Sequence, residues 1–150
     1  PLIWNVPELT KPGVSDSLVS SIDIPKTILN LLNIRRKRQP PDMQGVDVTP
    51  VLKDPNKSVR DCCLIEEDEE LPLTSKGIKI RLRHLVTDKY KLTLYEDLRG
   101  FGDIYDRKND PDELNNLWHT HKDLRYELVE QLFHENLKAQ SRYPKRVSPT

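Results

Sequence analysis

The chain has 150 residues, of which 35% are hydrophobic and 32% charged, and its 24 basic and 24 acidic residues cancel. That length suits one domain, or one small domain joined to a piece of another, and the hydrophobic fraction is low for a self-sufficient globule. The balanced charge argues against a nucleic-acid partner, which needs a basic excess on one face, and no apolar run is long enough to span a bilayer.

The first predicted helix covers residues 24–34, because apolar side chains recur there at helical spacing. Residues 2–4 are typical of the end of a strand, and Asp16 and Ser17 offer capping side chains before the helix. A basic run at 35–38 follows. We interpret this run as a solvated helix C-terminus, where cations suit the helix dipole, and a nucleic-acid patch is the alternative.

Four strands are predicted after a breaker at 54–57, and the second and third form a hairpin of alternating apolar and polar side chains. Residues 46–52, before this breaker, are expected to form a short turn with a helical end. An acidic run at 66–70 is expected to be a solvated loop. We therefore place a domain boundary after residue 56. The predicted strands cover residues 61–66, 78–84, 90–95 and 103–106.

The two cysteines of the chain, Cys62 and Cys63, are adjacent on the first of these strands. Neighbouring side chains of a strand point to opposite faces, so a disulfide between them would need strained geometry. Their spacing also lacks the C-x-x-C pattern of a metal or redox site. We expect two free thiols, which favour a reducing, cytoplasmic compartment over a periplasmic or secreted one.

The tract at 103–118 is predicted to pass from the last strand through a capped helical turn to a long helix. Asp110 can cap this turn, Pro111 suits its first position, and Glu113 supplies an acid at the third position. Trp118 is expected to anchor the core. The long helix covers residues 121–140 and carries two apolar rows that must pack on the sheet. The rows are Leu124, Leu128 and Leu132, and Val129, Phe133 and Leu137.

These elements predict an α+β fold. Residues 57–150 form an antiparallel sheet of about four strands packed against a long C-terminal helix. Residues 1–56 form a helix-containing segment that has no sheet partner of its own.

Four short motifs in sequence order resemble the closing part of the sulfatases of the alkaline phosphatase superfamily. In the first motif one residue separates Pro25 from Thr27, where the family pattern has proline and threonine adjacent. Each motif is common by itself, and their order over nearly the whole chain carries the resemblance. The motifs are Val19-Ser20-Ser21-Ile22-Asp23-Ile24-Pro25-Lys26-Thr27-Ile28-Leu29-Asn30-Leu31-Leu32, Gln44-Gly45-Val46-Asp47-Val48-Thr49-Pro50-Val51-Leu52, Thr87-Asp88-Lys89-Tyr90-Lys91-Leu92, and Tyr105-Asp106 with Asp110-Pro111, Glu113 and Asn116-Leu117.

The resemblance implies that residues 1–56 end a large α/β catalytic domain and that residues 57–150 form a C-terminal subdomain. The family's nucleophile sequence, Cys-x-Pro-x-Arg, whose cysteine is converted to formylglycine, does not occur at Cys62 or Cys63. The carboxylate ligands of the family's calcium ion cannot be assigned to any residue here. The resemblance therefore implies a structural, non-catalytic part of a sulfuric ester hydrolase. Its partners would be the missing N-terminal catalytic domain, which would hold calcium and formylglycine, and a sulfate ester.

Arg81, Arg83 and His84 are the candidate substrate-binding residues, since arginine and histidine donors bind anionic sulfate groups. The alternative is that they form a solvated face or pair with the acidic run at 66–70. His119 and His121 lie two residues apart and would face different ways on a helix, which argues against metal ligation. No catalytic or metal-binding residue is predicted.

Two other functions remain open from the sequence. The chain could close a phosphodiesterase or phosphonate hydrolase of the same superfamily, or it could be a stand-alone, non-enzymatic α+β interaction module. The sulfatase interpretation predicts that residues 2–32 expose apolar surface, which favours a homo-oligomer, whereas the stand-alone module predicts a closed core. Because Pro1 is not a methionine, we also expect that residue 1 is not a natural start.

Overall fold

The computed structural model describes residues 2–40, 43–68 and 81–140. The chain divides into two compact units. The first comprises residues 1–61 and 139–150, and the second comprises residues 62–138. The expected boundary after residue 56 stays a prediction. Within the described ranges, no helix is long and apolar enough to cross a membrane.

The first unit contains two short helices, α1 (Asp23–Leu31) and α2 (Thr49–Lys53). The predicted capping of α1 by Asp16 and Ser17 is wrong, because its N-cap residue, Ile22, makes no side-chain cap. Instead, the Asp23 carboxylate accepts the Ser20 N–H at 2.7 Å and so holds the approach to the helix. Residues 2–4 form no strand.

Helix α1 ends earlier than predicted. Asn33 adopts a left-handed conformation with φ 56°, and the Ile34 N–H donates to the Leu29 carbonyl at 2.9 Å. This arrangement satisfies the last carbonyls of the helix and turns the chain away from its axis. The basic run therefore lies on a separate 3₁₀ turn, Arg36–Arg38, and the last turn of α1 contains no basic residue. The interpretation of the run as the end of the helix is wrong.

The second unit is a four-stranded antiparallel sheet with strands in chain order. All four predicted strands are present. The first runs two residues further than expected, so the start of the acidic run is strand rather than loop. Residues 69–70 of that run and residues 78–80 of the predicted second strand lie outside the described residues. The strands are β1 (Cys62–Asp68), β2 (Arg81–Thr87), β3 (Tyr90–Tyr95) and β4 (Gly102–Asp106).

One row of side chains across the sheet forms the floor of the core. Leu85 lies opposite Leu92, and Leu92 lies opposite Ile104, so strand alternation puts all three on one face. The long helix α3 (Lys122–Gln140) packs Leu128 and Leu132 on this row, and Trp118 completes the cluster as predicted. Burying each leucine removes it from water and stabilises the unit by roughly 1.5–3 kcal/mol.

Only part of the predicted apolar stripe of α3 is buried. The row of Leu124, Leu128 and Leu132 packs into the core, and Val129 joins it. Phe133 and Leu137, by contrast, are largely exposed. The contact between helix and sheet is therefore narrower than the sequence predicts.

The tract from β4 to α3 contains a turn where the sequence predicts a helical turn. The Asp110 carboxylate accepts the N–H groups of Leu114 at 3.0 Å and Asn115 at 2.8 Å. Glu113 has φ 55°, which departs from the helical path and explains why no helix forms there. Asp110 therefore closes a tight turn with its side chain, and the predicted helical turn with Asp110 as its cap is wrong.

Candidate functional site

A cavity of about 410 Å³ opens between the sheet and α3 in the second unit. Its floor is apolar and comes from both β3 and α3. Two arginines and a glutamate line its edge, and the exposed ring of Phe133 stands beside them. The lining residues are Arg81, Arg83, Leu94, Tyr95, Glu96, Val129, Leu132, Phe133 and Asn136.

Strand alternation places Arg81 and Arg83 together on the α3 side of β2. The register sets Arg83 opposite Glu66 and Arg81 opposite Asp68. Arg83 contacts Asp68 at 2.7 Å and Glu66 at 3.2 Å, and Arg81 contacts Asp68 at 3.2 Å. Hydrogen bonds from Arg83 and then Arg81 lower the pKa of Asp68 to about 2, so this carboxylate stays ionised near neutral pH.

His84 lies on the opposite face of β2 from the two arginines. Its Nδ1 atom is 2.9 Å from the Thr93 hydroxyl, and its Nε2 atom is 3.6 Å from a Glu67 carboxylate oxygen. The three candidate residues of the sequence are therefore not one constellation. The cavity includes Arg81 and Arg83, and His84 belongs to a polar row across the sheet.

That polar row continues onto β4 and the following loop. The Tyr95 hydroxyl donates to Asp103 at 2.5 Å, and the Asn116 amide donates to the same side chain at 2.7 Å. The hydrogen bond to Asp103, together with burial, raises the pKa of Tyr95 to about 12. No sequence pattern marks Tyr95 and Asp103 as a pair, because only the strand register brings them together.

The first two motifs meet around the buried carboxylate of Asp23 in the first unit. Asp23 is 0% exposed, accepts the N–H of Val46 at 2.8 Å and pairs with the guanidinium of Arg60. The Thr27 hydroxyl donates to the Asp23 carbonyl and accepts the N–H of Val48. These polar groups hold α1 to the turn before α2.

Gly45 of the second motif is required by the same contact. It has φ 87°, and a Cβ atom built on it would lie 2.3 Å from the Ile22 carbonyl oxygen. A side chain at this position would therefore meet backbone in a conformation that favours glycine.

The third and fourth motifs are joined by an ion pair and an asparagine. Lys91 contacts both carboxylate oxygens of Glu113, at 2.7 and 2.9 Å. The side-chain oxygen of Asn116 (Oδ1) accepts the N–H groups of Ile104 and Trp118, at 3.1 and 2.9 Å. The polar side chains of these motifs therefore stabilise the backbone between β3, β4 and the loop before α3.

The part of the chain that the structure describes contains no cluster of side chains that could bind a metal ion. Across residues 2–40, 43–68 and 81–140, no three histidine, cysteine, aspartate or glutamate side chains come close enough to hold a metal ion. His119 and His121 are exposed in the turn just before α3. Cys62 and Cys63 are free, and burial is the main cause that raises the pKa of the Cys62 thiol.

Comparison with known proteins places this fold in a family. Residues 1–143 match the family model described as N-sulphoglucosamine sulphohydrolase, C-terminal. The chain is 33% identical over 137 residues to a protein of Escherichia coli strain K12 described as the uncharacterized sulfatase YidJ. That match covers 91% of this chain and 25% of the relative, so the chain spans about a quarter of its length.

Solved structures share the fold at lower identity. A YidJ sulfatase structure from Bacteroides fragilis matches with a TM-score of 0.71 and 20% identity, over 89% of this chain and 28% of that one. A protein solved in complex with its substrate, D-glucosamine-2-N,6-O-disulfate, matches with a TM-score of 0.66 and 23% identity, over 84% of this chain and 25% of that one.

Proposed function

The chain belongs to the family described as N-sulphoglucosamine sulphohydrolase, C-terminal, and we propose that it is the structural closing part of a sulfatase whose chemistry is carried by another part of the polypeptide. The observation that carries the proposal is the use of the motif side chains. Asp23, Thr27 and Asn116 hold backbone groups, and Lys91 and Glu113 hold each other. Side chains that are used to stabilise the backbone in this way favour a structural role for the chain over a role as the reaction centre.

The proposed enzyme hydrolyses a sulfate ester or sulfamate on a glucosamine-containing sugar. The family description and the disulfated glucosamine bound by one structural relative support this substrate class. The catalytic domain would supply a divalent metal, which we propose to be calcium, together with a formylglycine. No step of the reaction is assigned to the side chains of this chain.

Within this proposal, the cavity edge at Arg81 and Arg83 forms one wall of the substrate entrance. Both guanidiniums are fixed by Asp68, which limits their freedom before substrate arrives and so lowers the entropy cost of binding. Glu66, Asp68 and Glu96 outnumber the two arginines, so the wall orients sugar hydroxyls better than it attracts sulfate. His84 lies on the other face of the sheet and is not part of this wall.

The test uses the complete polypeptide that contains this chain, loaded with calcium. We expect release of sulfate from glucosamine N- or O-sulfate and from a chromogenic aryl sulfate, because the family chemistry is common to both. A metal-loaded enzyme that cleaves phosphodiesters and no sulfate ester would overturn the proposal. Sulfate release is measured directly by ion chromatography.

The wall is tested in the same enzyme with the double variant Arg81→Gln, Arg83→Gln. We expect a roughly tenfold higher KM for a sulfated oligosaccharide and an unchanged kcat, because the wall binds without touching the reacting bond. Arg99→Gln, at an exposed loop position, is the matched control. An unchanged KM in a double variant that remains folded by circular dichroism would remove the wall from the proposal.

A further inference from the structure

Four consecutive cations, Arg35, Arg36, Lys37 and Arg38, take no part in the contacts considered above. All four side chains are exposed. Among the described residues, none of them forms an ion pair or a side-chain hydrogen bond. The neutral overall composition makes this run a local concentration of positive charge, unlike the two cavity arginines, which are neutralised by carboxylates.

The basic run is held in place rather than hanging from the helix end. The Gln39 amide donates to the Asn30 side chain and to the Ile34 carbonyl, both at 2.8 Å. The Arg38 N–H donates to the Arg35 carbonyl at 2.7 Å and closes the turn. The backbone that presents the cations is therefore anchored on α1, so little backbone entropy is lost when a ligand binds.

A 3₁₀ turn has three residues per turn, so its side chains radiate about 120° apart. The turn Arg36–Arg38 therefore projects its cations in several directions instead of forming a row on one face. Residues 33–40 also contain no aromatic side chain on which a base could stack. Both features suit a flexible polyanion of high charge density that can fold around the turn, and they disfavour a nucleic acid.

We propose that the basic run, residues 35–38, is a binding site for a sulfated polysaccharide, separate from the site of sulfate ester cleavage. Arginine donates two parallel hydrogen bonds to a tetrahedral oxyanion, and lysine adds a compact charge. The choice of a sulfated sugar polymer rests on the proposed function and on the disulfated glucosamine bound by the structural relative. The site would hold the polymer on the enzyme while the catalytic domain acts on another part of it.

Binding is tested without catalysis, on immobilised heparin as the probe. We expect the complete polypeptide to be retained, and the triple variant Arg36→Gln, Lys37→Gln, Arg38→Gln to bind roughly tenfold or more weakly, since each cation near an anionic surface adds to the affinity. The control variant Lys11→Gln, Lys53→Gln, Lys57→Gln removes the same charge from scattered exposed positions of the same unit and should elute with the wild type. Equal elution of both variants would overturn the proposal.

Two further measurements distinguish polysaccharide binding from nucleic-acid binding, and binding at the run from catalysis. Single-stranded DNA of matched length should bind at least about tenfold more weakly than heparin, because no stacking platform is present, and equal affinity would assign the run to nucleic acid instead. The triple variant should hydrolyse a small aryl sulfate at the wild-type rate while its KM for the polymer rises. An enzyme inactive on both substrates that still binds heparin through the run would refute the sulfatase assignment and leave the binding site standing.

Discussion

Asp23 shows how a charged side chain of a motif can serve the local structure. Its carboxylate is fully buried, and the N–H groups of Ser20 and Val46 and the guanidinium of Arg60 surround it. A buried charge is tolerated only when it is paired and hydrogen-bonded, and here three separate stretches of chain supply the partners. The residue therefore fixes local geometry in the first unit.

Replacing this carboxylate tests that role. Asp23→Ala should lower the free energy of unfolding by about 3 kcal/mol, because it breaks a buried ion pair and removes the acceptor of the Ser20 and Val46 N–H groups. Urea denaturation followed by circular dichroism measures the loss. Asp16→Ala, at an exposed position, is the control and should change the value by less than about 0.5 kcal/mol.

A second variant separates the charge from the packing. Adding Arg60→Met to Asp23→Ala should recover part of the loss, since an apolar side chain then replaces the partly buried guanidinium. A single variant as stable as the wild type would show that the ion pair does not hold the unit together.

At the scale of elements, α3 and the sheet form the core of the second unit through one narrow seam. The seam joins Leu128 and Leu132 to the leucine row of β2 and β3, and Trp118 lies at its end. Gly102 is part of this contact, because a Cβ atom there would lie 2.5 Å from the Trp118 ring. The helix face beyond the seam, with Phe133, borders the cavity instead.

Because only one face of α3 packs on the sheet, two substitutions on this helix should lower the stability by different amounts. Leu128→Ala should destabilise the unit by about 2–5 kcal/mol, because a 4% exposed leucine leaves a cavity when it is truncated. Phe133→Ala, 61% exposed and larger, should cost less than about 1 kcal/mol. Thermal and urea unfolding of both variants give the comparison, and equal losses would contradict the seam.

At the scale of the whole molecule, the first unit keeps apolar side chains in solvent. Ile22, Ile28 and Leu32, on and beside α1, are exposed, and Ile28 and Leu32 lie one helical turn apart. The second unit has a buried core cluster, and it also exposes apolar side chains, among them Phe133 and Leu137. In the proposed enzyme this surface of α1 packs against the catalytic domain.

That surface predicts self-association of the chain when it is produced by itself. Light scattering over a concentration series should show a rising mean mass, since exposed apolar stripes associate. The double variant Ile28→Ser, Leu32→Ser should keep the mean mass near 17.5 kDa, whereas Val14→Ser, at an isolated exposed position, should behave as the wild type. A wild-type chain that stays monomeric throughout would favour the stand-alone module.

The strands and the long helix follow from the sequence because their signals are local. Alternation at residues 81–95 requires one buried face, and the leucine spacing of residues 124–132 requires a helix that packs on it. The early end of α1 at Asn33 has a weak local signal, because asparagine favours left-handed helix ends, whereas the positive φ of Glu113 has none. The same limit applies to Phe133, whose exposure depends on what α3 leaves uncovered.

By itself, the sequence determined the α+β class, the four strands in order, the C-terminal helix and the resemblance to sulfatases, since each rests on the order of residues along the chain. The tertiary structure decided which side chains meet. It separated His84 from Arg81 and Arg83 because successive residues of a strand point to opposite faces. It paired Asp23 with Arg60, since a contact between distant residues depends on the path of the whole backbone. It also placed the basic run at 35–38 on a separate turn beyond the end of α1.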